Sequence, residues 1–144
     1  MHLSRVTIKN FRNFKCLDVS LDAHAVVLGE NKVGKTNLLF ALRLILDPAL
    51  PDTLRKLRLD DFWDGLPRPL KADDVIEVSV EFCGFERNEN LLAVLADHLV
   101  NPEPMVARVT YRYQPIPGLQ GLPRSEADYE FLVFGGDRIE NPIR

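Results

Sequence analysis

Residues Gly29-Glu30-Asn31-Lys32-Val33-Gly34-Lys35-Thr36 read G-x-x-x-x-G-K-T, and their setting constrains the fold more than any other stretch. Ala25-Val26-Val27-Leu28 before them is an apolar run of strand length, and Asn37 to Leu46 after them has helical spacing. A strand, a glycine-bearing loop and a helix in that order form the context in which this pattern binds phosphate. The glycines let the backbone wrap closely round an anion with its N–H groups turned inward. A helix starting near Lys35 aims its positive dipole end at the same anion. The predicted cofactor-binding set is therefore Gly29, Glu30, Asn31, Lys32, Val33, Gly34, Lys35, Thr36 and Asn37. Lys35 reaches the β- and γ-phosphates of a nucleotide, and the Thr36 hydroxyl is the magnesium ligand.

A chain of 144 residues with 46% hydrophobic content suits one domain with a core of its own. The net charge of −3 provides no global basic field, so any nucleic-acid surface must be local or lie on another chain. Cys16 and Cys83 form no C-x-x-C pair, which argues against a disulfide framework or a thiolate metal site. No segment approaches the length of an apolar membrane span and no leader pattern opens the chain, so the expectation is a cytoplasmic protein without a membrane partner.

Alternation predicts strands over Leu3 to Lys9, Cys16 to Leu21, Val75 to Phe82, Met105 to Tyr113 and Tyr129 to Phe134. The first two are too close for a parallel crossover and read as a hairpin through Asn10-Phe11-Arg12-Asn13-Phe14. The helix after the phosphate loop carries Leu38, Ala41, Leu42 and Ile45, widened by Leu39, Leu44 and Leu46, which predicts a largely buried helix ending at Asp47-Pro48. Residues 48–74 read as a proline-punctuated connection with a short helix near Thr53 to Leu57, long enough to be functional or a family-specific insertion. Asn88 to Leu99 reads as an amphipathic helix.

Four further groups of residues are candidates for chemistry. Arg12, in the hairpin turn, either reaches a nucleotide phosphate or supports the turn. Arg108, Thr110 and Arg112 share a strand face, as do Glu77 and Glu81; cross-strand ion pairing is the favoured reading over a DNA-phosphate surface. The Asp60-Asp61 and Asp73-Asp74 pairs read as solvated loop charge rather than metal ligands. Phe131-Leu132-Val133-Phe134 runs into Gly135-Gly136-Asp137, which reads as a turn rather than the acidic end of a Walker B strand. No residue that orients an attacking water stands out, nor a Ser-Gly-Gly signature or a nuclease-type acidic cluster. No catalytic residue is assigned, and this chain alone is expected neither to hydrolyse ATP nor to cut DNA.

Arg5-Val6-Thr7-Ile8-Lys9-Asn10-Phe11-Arg12-Asn13-Phe14, then Gly29 to Asn37 and Leu38-Leu39-Phe40-Ala41-Leu42, resemble the N-terminus of the SMC/RecF branch of ABC-type ATPases. Within that branch, Ala41 to Pro48 and Leu59-Asp60-Asp61-Phe62 resemble the OLD family of ATP-dependent endonucleases, the Gabija anti-phage nuclease among them. The resemblance implies an α/β P-loop lobe of ABC type: a mixed core sheet around one buried helix (residues 1–50), with an antiparallel part and one helix beside it (residues 75–134). It implies ATP and Mg²⁺ as cofactors, DNA as a partner through a parent assembly, and a homodimer or higher oligomer closing over nucleotide. A partner chain or downstream sequence would supply the Walker B, signature and Toprim nuclease parts, so residues 1–144 are expected to be a fragment or one half of a split protein. A RecF-like DNA-repair ATPase without nuclease and a non-hydrolysing assembly scaffold are the alternatives.

Overall fold

Alternating residues on three long strands decide the architecture. In the computed structural model, which describes residues 1–21 and 32–143 (32 and 33 by backbone alone), the elements are β1 (His2–Phe11), β2 (Phe14–Ser20), α1 (Lys32–Leu46), α2 (Asp52–Arg55), β3 (Ile76–Cys83), α3 (Glu89–Leu95), β4 (Leu99–Pro102), β5 (Met105–Pro115) and β6 (Tyr129–Gly135). The expected strand Ala25 to Leu28 lies outside the described residues. The fold is mixed α/β with an antiparallel sheet.

All the strand pairs named run antiparallel, in the order β2-β1-β3-β5-β4, with β6 joining β5 beside β4. Register aligns Val6, Val80 and Val109 in one row and Ile8, Val78 and Tyr111 in the next. These rows form the core face, and α1 packs across it with Ala41 and Leu44 buried. Two expectations need correction here. Among the described residues, β1 pairs directly with β3, so the hairpin and the later strands are continuous in one antiparallel sheet, in place of the separate antiparallel sheet expected beside the hairpin. The buried stripe of α1 is also narrower than its leucine content suggests: Leu39 is 61% exposed, because only the turn positions facing the sheet are covered.

α3 is shorter than the sequence implied. Asn88 caps it, its side chain accepting a hydrogen bond from the Leu91 N–H at 3.1 Å. The chain then tightens into a 3-10 turn at Ala96–His98 and enters β4. Leu99 fits the helical spacing from Leu95, but it also fits a strand pair with Ala107, and the tertiary pairing prevails.

The core centre is aromatic. Tyr113 and Tyr129 stack with ring centres 5.0 Å apart, and Phe62 meets both, at 5.9 and 5.6 Å. Burial first, then neighbouring groups, pushes the Tyr111, Tyr113 and Tyr129 hydroxyls above their ordinary pKa. These are all three tyrosines of the chain. In the unfolded chain they ionise near pH 10. Above that pH the unfolded state binds fewer protons than the folded one, so stability is full below pH 10 and falls as pH rises beyond it. The folded chain is expected to resist phenolate formation above about pH 10, where the tyrosines of the unfolded chain ionise. A gradual titration centred on pH 10 in the folded state would contradict this core.

Candidate functional site

α1 begins at Lys32, inside the glycine-lysine motif, so Lys35 and Thr36 lie at its first turn. The positive end of the helix dipole lies at the start of α1, and its first turn carries no acidic side chain to repel an anion. Gly29, Glu30 and Asn31 lie outside the described residues, as do the side chains of Lys32 and Val33. Lys35 is half-buried and Thr36 exposed, while Asn37 is turned into the protein.

The residue that faces Asn37 is Arg12. Phe11 pairs with Phe14, leaving Arg12-Asn13 as a two-residue connection between β1 and β2. Arg12 takes a φ of 51°, a left-handed conformation that costs a non-glycine residue roughly 1–3 kcal/mol and persists only when its surroundings hold it. Several contacts hold it. Its N–H donates to the Asp61 carbonyl at 2.8 Å, its Nε to Asp61 Oδ1 at 3.0 Å and its Nη1 to Asn37 Oδ1 at 2.8 Å. The Phe11 and Phe40 rings lie 5.0 and 4.7 Å from its guanidinium carbon. Asn37 Nδ2 in turn donates to Asn13 Oδ1 at 2.8 Å. The turn-supporting role weighed for Arg12 is thus present. Its guanidinium is also anchored to the helix that carries Lys35 and Thr36.

Asp61 corrects the reading of Asp60-Asp61 as solvated charge. Its side chain is only 17% exposed. Oδ2 accepts the Arg58 N–H at 2.8 Å and closes a 3-10 turn, while Oδ1 takes Arg12. The segment behind it is strapped to the hairpin tip: Phe62 bridges Phe11, and the Trp63 N–H donates to the Asn10 carbonyl at 3.0 Å. The long connection is therefore part of the site's frame. No local pattern announces this, since Arg12 and Asp61 are 49 residues apart. Asp74 is half-buried and holds its own loop, its Oδ2 accepting the Lys71 N–H at 2.8 Å.

The opposite sheet face carries ion pairs, as the alternation suggested. Glu77 lies between Lys9 and Arg112, and Glu81 between Arg5 and Arg108, on the register of three adjacent strands. Arg112 Nη2 reaches Glu77 Oε2 at 2.7 Å and Arg108 Nη2 reaches Glu81 Oε1 at 2.7 Å. Arg5 grips Asp18 through both carboxylate oxygens, at 2.8 and 2.7 Å; that hydrogen bonding lowers the Asp18 pKa and raises that of Arg5. Beyond β6, Gly136 takes a φ of 68° and Asp137 Oδ1 accepts Arg108 Nη1 at 2.8 Å, so this acid closes a turn and pairs with a base. Among the described residues, no group of three or more His, Cys, Asp or Glu side chains could hold a metal ion, and no helix is long and apolar enough to cross a membrane.

Comparison with known proteins gives the chain a family. A family model described as a protein of unknown function, DUF2813, matches residues 1–116. The chain belongs to that family. Beyond the DUF2813 assignment, it is 53% identical over 47 residues to Endonuclease GajA of Bacillus cereus (strain VD045), covering 33% of this chain and 8% of that protein. It is 49% identical over 43 residues to the DNA replication and repair protein RecF of Halalkalibacterium halodurans, covering 29% and 12%. It is 43% identical over 63 residues to the Escherichia coli (strain K12) protein YbjD, covering 44% and 11%. The chain thus spans a small part of each relative's length. A solved structure from work on ATP-driven dimerization and DNA-stimulated activation of SMC ATPases aligns with 94% of this chain and 71% of its own, at a TM-score of 0.48 and 18% identity.

Proposed function

We propose that this chain is an ATP- and magnesium-binding lobe of a DNA-processing ATPase, and more narrowly of an OLD-like ATP-dependent endonuclease acting in anti-phage defence or DNA processing. What supports the reading is the G-x-x-x-x-G-K-T motif running into α1, so that Lys35 and Thr36 lie near the start of that helix, where an anion is favoured. Partial similarity to an endonuclease and to RecF supports the DNA-processing part of the reading.

In this reading, bound ATP would supply the phosphate groups and Mg²⁺ would neutralise the charge on them. The motif Gly29 to Thr36 would hold the phosphates, with Lys35 neutralising their charge and Thr36 offering its hydroxyl to the metal, and Arg12 lies against the same helix. Hydrolysis, DNA cleavage and closure over the nucleotide belong to the rest of the assembly, as a homodimer or with a partner chain.

The metal assignment makes a separate prediction. Thr36→Ala is expected to weaken ATP binding by several-fold with Mg²⁺ present, and by less than about twofold with EDTA, because only the metal-dependent part of the affinity uses the hydroxyl. Titrations under both conditions test it. The same factor in each would remove Thr36 from the metal site.

A further inference from the structure

The strained arginine and the strap behind it suggest what the connection between α1 and β3 is for. We propose that Asp61 is a positioning residue of the phosphate site: it holds the Arg12 guanidinium against Asn37 and Phe40 of α1, next to Lys35 and Thr36, and so sets the geometry offered to the nucleotide phosphates. The proposal rests on the nucleotide-binding reading above and deepens it.

The contacts form a chain in which each link is itself fixed. Asp61 cannot swing freely, because Oδ2 is held by the Arg58 N–H while Oδ1 takes Arg12 Nε. The strap that carries Asp61 is anchored by Phe62, fully buried in the aromatic core. Arg12 is held at the backbone and at the side chain by one and the same residue, Asp61. From there its Nη1 reaches Asn37, which follows Thr36 directly, and its guanidinium lies against Phe40 one turn further along α1. Two contacts from one guanidinium thus land on the helix whose start meets the phosphate. Arginine has five N–H donors in a planar fork, so it can hold Asp61 and Asn37 and still present donors to an anion; lysine cannot make that arrangement. A carboxylate that only balanced surface charge would need neither the buried anchor nor the left-handed turn.

The test is a double-mutant cycle read as ATP affinity with Mg²⁺ in the full chain. Asp61→Asn keeps the size of the side chain and removes its charge. It is expected to weaken binding about fivefold or more in the Arg12 background, and by less than about twofold once Arg12→Ala is present, because Asp61 acts through Arg12. Equal losses in both backgrounds would mean that the strap matters only for folding, and would overturn the proposal. So would a gain in affinity, which would show Asp61 withholding Arg12 from phosphate. Arg12→Lys gives an independent reading should Asp61→Asn fail to fold: affinity falls if the fork is needed, and unchanged affinity overturns the proposal. Lys35→Ala separates the two levels. If it weakens binding roughly 10- to 100-fold while the Asp61 and Arg12 variants are silent, this inference alone fails; if the parent chain binds no ATP, both fail.

Discussion

Phe62→Ala is expected to cost about 3–5 kcal/mol of stability, the range for deleting a fully buried phenylalanine. The ring is fully buried and touches two stacked tyrosines on β5 and β6, so its loss leaves a cavity that those rings cannot easily fill. The loss is a large share of a domain's total stability of about 5–15 kcal/mol. It also loosens the strap, because Phe62 bridges Phe11 beside the Arg12 turn. Urea unfolding followed by circular dichroism measures it. A change below about 1 kcal/mol would mean that the connection between α1 and β3 is not seated in the core as described.

The strands and the hairpin were legible because their cause is local. Val6 and Ile8, Ile76 to Val80, and Val109 to Tyr113 alternate at the period of a half-buried sheet, and the structure places β1, β3 and β5 there. The pairing of Glu77 and Glu81 with arginines was legible for the same reason, since alternation puts like chemistry on one face. β4 was hidden because Leu99 satisfies two periods at once, and only its partner Ala107 decides between them. Asp61 was hidden because its meaning depends on a residue 49 positions away. Asn37 is the reverse case. The motif alone assigns it to the nucleotide, while the fold shows its side chain holding Arg12 and Asn13.

Lys35→Ala is expected to weaken ATP·Mg binding roughly 10- to 100-fold, the worth of one charge-assisted contact of about 1.5–3 kcal/mol. The lysine carries a point charge at the first turn of α1, where the helix's own N–H groups already favour an anion. Its side chain is not part of the hydrophobic core, so its removal is expected to change stability by less than about 0.5 kcal/mol. An effect on affinity without an effect on folding is the mark of a ligand contact.

Calorimetric titration of ATP with Mg²⁺ into the parent chain and into Lys35→Ala, with the unfolding temperature of each recorded alongside, tests the central claim most directly. The expected result is binding by the parent chain, a loss of roughly 10- to 100-fold in the variant, and matching unfolding temperatures. Equal affinities, or no binding by the parent chain, would contradict the assignment of residues 29–37 as a nucleotide-phosphate site.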